Sequence, residues 1–185
     1  GLGAGRDPNN VLGPLVSQEQ RDWVDRYVRS GVAEGATLLT GGSRADGDLE
    51  RGYFYRPTVF AGVDDSMTIA RDEIFGPVLS VIPYEDPAEL AGRANDTEYG
   101  LGAVIWSRDI GTANRLANEI KAGTEWLHLP PFLDAAAPWG VMTTSGIGRG
   151  MGWEGILAST ETKGIGTSRS RGAQRRRLVQ GAASR

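Results

Sequence analysis

The chain has 185 residues, 39% of them apolar and five of them tryptophan, which is material for one sizeable core and argues against global disorder. It has no cysteine and a single histidine (His128), which removes disulfides, zinc–thiolate sites and any thiol nucleophile from this chain and argues against a His-rich metal site. The net charge of −3 conceals an asymmetry: Arg169 to Arg185 carries six arginines and no acid, leaving 14 basic against 23 acidic residues, or −9, over the rest.

Gly1 to Pro14, rich in Gly, Pro and Asn, reads as an extended entry segment. It lacks the basic-then-apolar pattern of a secretory leader, and no apolar run approaches the ~20 residues of a membrane span, so a cytoplasmic location is expected. The start at Gly1 instead of methionine reads as a processed or incomplete chain.

Ser17 and Gln20 have the spacing of a capping box, and Trp23, Val24, Tyr27 and Val28 follow on one helical face. The helix is predicted to end near Gly31 or Gly35. Thr37–Thr40 and Tyr53–Phe60 are strand candidates, and Pro57 predicts an edge position for the second. Next come a buried strand over Val78–Tyr84, a helix over Pro87–Asn95 and a strand over Leu101–Ser107. A helix over Ile110–Lys121 closed by Gly123 and a strand over Trp126–Leu129 complete the alternation. Two consecutive strand–helix–strand units predict an α/β fold, with a mainly parallel sheet and flanking helices, and ligands at the carboxyl ends of the strands. Pro130 to Gly150 is a long loop, of the kind that is more often functional than accidental. A helix over Met151–Ala158, a strand over Glu161–Gly166 and a basic, disordered tail are predicted to finish the chain.

The segment Glu73-Ile74-Phe75-Gly76-Pro77-Val78 carries the most chemistry. A carboxylate where a loop feeds a buried strand is expected to have a partner, because burying an unpaired charge costs several kcal/mol. A protein cation such as Arg71 and the hydroxyls of a ligand are the two candidates.

Read with other segments in order, this hexapeptide resembles the aldehyde dehydrogenase family. The matches run from Gly13-Pro14-Leu15-Val16-Ser17 through Glu34-Gly35-Ala36, Gly41-Gly42, Gly52-Tyr53-Phe54 and Pro57-Thr58 to Glu73–Val78. They continue through Asn95, Tyr99-Gly100-Leu101, Ala122-Gly123-Thr124, Pro138, Gly140, Ser145-Gly146, Gly148-Arg149 and Glu161-Thr162-Lys163. The resemblance covers only the carboxyl-terminal portion of such an enzyme. It implies a parent reaction in which a thiolate attacks an aldehyde, a hydride passes to NAD or NADP, and water releases a carboxylic acid. The nucleophile, the general base and most of the dinucleotide-binding domain fall outside this chain, so no catalytic residue is assigned to it and it is expected to be inactive alone.

By the same resemblance Glu73 would bind the nicotinamide ribose and Phe75 would pack near the nicotinamide; core packing is the alternative for Phe75. Phe132, Leu133 and Trp139 would line the aldehyde tunnel, with loop packing as the alternative. His128 stands where the family commonly has asparagine and reads as a structural hydrogen-bonder. Gly140-Val141-Met142-Thr143 departs from the family's Gly-Gly-aromatic-Lys run, which puts the loop conformation in question. The division implied is a partial catalytic portion over 1–159, an oligomerisation-type strand over 160–168 and a basic tail over 169–185. The strand would pair with another copy or with a full-length relative. A non-catalytic interaction protein that docks on such a relative is the rival reading. A third reading makes the tail a binding module, but it has no aromatics between its arginines, which argues against nucleic acid.

Overall fold

A computed structural model describes residues 1–167. The basic tail predicted over 169–185 lies outside the described residues.

Helix α1 (Gln18–Ala33) begins where Ser17 Oγ accepts the Gln20 amide at 3.2 Å. It ends in a left-handed glycine turn: Gly35 has φ +99°, its N–H reaches Val32 O, and the Ala36 N–H reaches Gly31 O. The predicted apolar face divides. Val24 and Val28 are buried, whereas Trp23 is 40% exposed and stacks edge-on against Tyr27, with the Arg26 guanidinium over its ring.

Strands β1 (Thr37–Thr40), β2 (Thr58–Ala61) and β3 (Val78–Ser80) form a sheet in that order, β1 antiparallel and β3 parallel to β2. The edge position predicted from Pro57 is therefore corrected. Pro57 stands just outside β2, and its missing N–H leaves the ladder of this central strand intact, since Thr58 N opens it on Pro77 O. The predicted Val78–Tyr84 strand is also shorter and less buried than its composition implies: β3 has three residues, and Leu79 is 57% exposed on the outer strand. Under this sheet Val24, Val28, Tyr55, Phe60, Val63, Ile69 and Ile74 form the first core, and the short helix α2 (Thr68–Arg71) packs on α1.

After α3 (Leu90–Asn95), strands β4 (Gly102–Ile105) and β5 (Thr124–Leu127) pair in parallel, with α4 (Ile110–Glu119) crossing between them. Asp109 caps α4 by accepting Gly111 N and Thr112 N, and the Thr112 hydroxyl first, then those two backbone N–H groups, hold its carboxyl below the usual range. Ile120, already extended, ends α4 before Gly123 is reached. Ala91, Ile105, Ala113 and Leu116 make the second core. The single sheet expected from the alternation is thus split: β3 joins β2, β4 joins β5, and no strand among the described residues bridges them.

The long loop carries a two-residue ladder, β6 (Trp139–Gly140) against β7 (Arg149–Gly150), before α5 (Gly152–Leu157). Residues 160–167 form no strand in this chain, and Ile165 is 81% exposed. A strand needs a neighbour for its backbone groups, and none of the described strands supplies an edge to this stretch.

Candidate functional site

The Glu73 segment leaves α2 at Asp72, whose Oδ2 accepts the Tyr27 hydroxyl at 3.0 Å. Ile74 turns into the first core, and Phe75 follows with φ +50°, a left-handed conformation that costs a side-chain-bearing residue about 1–2 kcal/mol. The Gln20 amide holds that turn, donating from Nε2 to Ile74 O at 3.1 Å and Phe75 O at 2.9 Å. Gly76 lies so close to α1 that a Cβ there would stand 2.4 Å from Val24 Cγ2. Pro77 O then accepts Thr58 N at 2.8 Å and delivers the chain into β3.

Glu73 is exposed in this chain, so the expected burial of its charge is not observed. It borders a cleft of about 560 Å³ with Tyr99, Lys121, Trp126, Trp139 and Ser145, and it is the one carboxylate on that wall. Among the described residues it has no ion pair. The cation nearest in sequence, Arg71, is engaged by Asp96 Oδ2 at 2.8 Å. A free carboxylate offers only acceptors, which suits a ligand presenting hydroxyl donors.

Phe132, Leu133 and Trp139, the three residues expected at the aldehyde tunnel, lie together. They line a separate cavity of about 290 Å³ with Trp126, Leu127 and Met151. The Trp126 indole N–H donates to Phe132 O at 3.1 Å, and its ring lies 5.7 Å from that of Trp139. These two tryptophans border both spaces, so they form the partition between the Glu73 cleft and the aromatic cavity. Glu125, on the β5 flank of the aromatic cavity, has its carboxyl pushed above the ordinary value of 4.5 by burial.

Phe75 borders neither space and is 74% exposed. His128 also stands outside both. Its Nε2 accepts Ser107 N at 3.3 Å, its backbone N–H donates to Ile105 O at 3.0 Å, and its ring stacks 6.1 Å from Trp106, the structural role read from sequence.

The departure at Val141 to Thr143 has a structural answer. Thr143 Oγ1 donates to Glu98 O at 2.7 Å, Met142 N to Gly100 O at 2.8 Å, and Ser145 Oγ accepts Gly100 N at 2.8 Å. The loop is thereby stitched to the Glu98–Gly100 segment, of which Tyr99 and Gly100 line the cleft. Sequence reading missed Lys121 and this threonine–serine clamp. Its only local trace is the hydroxyl run Thr143-Thr144-Ser145, which is common in ordinary loops. Among the described residues no group of three His, Asp or Glu is placed to hold a metal, and no helix is long and apolar enough to cross a membrane.

Residues 1–165 match the family model for the aldehyde dehydrogenase family. DhaS of Bacillus subtilis is 47% identical over 163 residues, which is 88% of this chain and 32% of that protein. A betaine aldehyde dehydrogenase of Bacillus subtilis is 42% identical over 166 residues, covering 89% of this chain and 34% of the relative. The solved NAD+ complex of an aldehyde dehydrogenase from Bacillus cereus superposes with a TM-score of 0.87 at 44% identity, over 92% of this chain and 34% of that one. The chain therefore spans about a third of the length of these relatives. With the family model matching residues 1–165 and relatives above 40% identical over most of the chain, the chain belongs to the aldehyde dehydrogenase family.

Proposed function

We propose that this chain is the carboxyl-terminal portion of an NAD(P)-dependent aldehyde dehydrogenase that oxidises an aldehyde to a carboxylic acid. The observation that carries the reading is Glu73: a carboxylate without an ion pair, on a turn braced by α1, at a cleft whose other walls offer no second acid. Its acceptors suit the two ribose hydroxyls of a nicotinamide dinucleotide, and the Bacillus cereus relative is a solved NAD+ complex. When bound, the dinucleotide supplies the hydride acceptor. Glu73 then orients the ribose, and the Trp126–Trp139 partition divides that cleft from an apolar cavity. Phe132, Leu133 and Trp139 are the substrate-side wall in this reading, because aromatic and aliphatic surfaces of this kind exclude water from a reacting carbonyl. Phe75, exposed beside Glu73 in sequence, is the residue proposed to meet the nicotinamide face.

The proposed partner is a second copy of the chain or a full-length relative, joined through residues 160–168. Supporting this is the unpaired stretch 160–167, whose backbone groups have no strand neighbour here.

The test is coenzyme reduction by the polypeptide that carries this chain, purified at its native length from source cells and offered a panel of aldehydes with NAD+ or NADP+. Aldehyde-dependent reduction is expected from that polypeptide and none from the 185-residue chain, which has no cysteine to act as nucleophile. A native polypeptide that reduces neither coenzyme with any aldehyde contradicts the reading.

A further inference from the structure

Gln20 stands three residues after Ser17, the place from which a capping-box amide reaches back to the N-cap. Its side chain turns the other way and crosses 54 and 55 residues of sequence to meet Ile74 O and Phe75 O. Consecutive carbonyls of an extended strand point to opposite sides, so one amide reaches both only where the backbone reverses. The left-handed Phe75 supplies that reversal. The same helix touches the segment twice more, through the Tyr27 hydroxyl on Asp72 and through Val24 beneath Gly76. Glu73 lies between these anchors, bonded to none of them.

We propose that Gln20 is a positioning residue for Glu73: its amide locks the left-handed Phe75 turn, and that turn holds the Glu73 carboxylate at the cleft. The inference rests on the reading of Glu73 as a ribose-binding group. A role confined to starting α1 does not account for it, because the cap is completed by Ser17 Oγ and the Gln20 backbone N–H, leaving the side chain free to hold the turn.

Gln20→Met keeps the side-chain length and removes the donor, and backbone 15N relaxation of the full chain reads the result residue by residue. The order parameters of Glu73 to Gly76 are expected to fall from about 0.85 to below about 0.6, while amide exchange at Val24, Val28 and Phe60 keeps its protection. Unchanged order at Glu73 to Gly76 overturns the proposal, as does a loss of order spread evenly through the first core. Gln20→Asn, too short to span to both carbonyls, is the second variant and is expected to loosen the same four residues. In the native-length polypeptide Gln20→Met is expected to weaken NAD+ binding about tenfold, with Glu73→Gln as the comparison. If Glu73→Gln leaves NAD+ affinity untouched while Gln20→Met still loosens the turn, the hold on Phe75 stands and the ribose reading of Glu73 fails.

Discussion

Glu73 owes its candidacy to what Arg71 does elsewhere. Two residues away in sequence, that guanidinium is bound to Asp96, so the acid keeps all its acceptor capacity for the cleft. Glu125 is the opposite case, a carboxylate partly withdrawn from water on β5 with its pKa raised by burial alone. Ionisation of Glu125 costs more in the folded than in the unfolded chain. Stability from this group is therefore full below its ordinary value of 4.5 and is lost as pH rises through that value toward the folded one. Glu125→Gln is predicted to raise the Tm near neutral pH and to leave it unchanged at pH values below 4.5, as measured by thermal melts across pH. A variant that melts lower than wild type near neutral pH would mean the carboxylate has a stabilising partner.

At the scale of elements, α1 connects the first core to the site. Val24 is fully buried and cannot retreat from a Cβ built 2.4 Å from its methyl group at residue 76. Gly76→Ala is predicted to cost about 1–3 kcal/mol in urea unfolding. A cost near zero would mean the turn stands off the helix. Much at this scale was legible in the sequence. The cap at Ser17, the Schellman turn at Gly35 and the β4–α4–β5 crossover follow from local chemistry, and local chemistry is what a sequence displays. Strand environment was less legible. Pro57 reads as an edge residue because proline cannot donate to a ladder, yet the ladder starts one residue later. The Val78 to Ile82 run reads as buried because it is apolar, yet β3 is an outer strand with Leu79 uncovered. The Gln20 contact was out of reach because it joins residues more than fifty positions apart.

For the whole molecule, the exposed apolar residues are the dominant fact. Leu79, Trp106, Trp153, Ile156 and Ile165 all face solvent in this chain, which spans about a third of the length of its relatives. Contiguous apolar surface of that kind marks sites of contact. Removing residues 160–167 is predicted to shift the native-length polypeptide to a smaller species in sedimentation, if this stretch pairs with a neighbouring copy. An unchanged assembly would place the contact elsewhere. The family and the α/β class were readable because they depend on the order of short motifs and on the alternation of strands and helices. The division into two separately packed sheets was not readable, because strand pairing across a sheet leaves no mark in any one segment.

The most direct test is the affinity of the native-length polypeptide for NAD+, measured by calorimetry for wild type and Glu73→Gln. A hydrogen bond to a charged group is worth about 1.5–3 kcal/mol, so the substitution is predicted to weaken binding roughly 10- to 150-fold without lowering the Tm. Equal affinities for the two proteins would contradict the assignment of this cleft to the nicotinamide ribose.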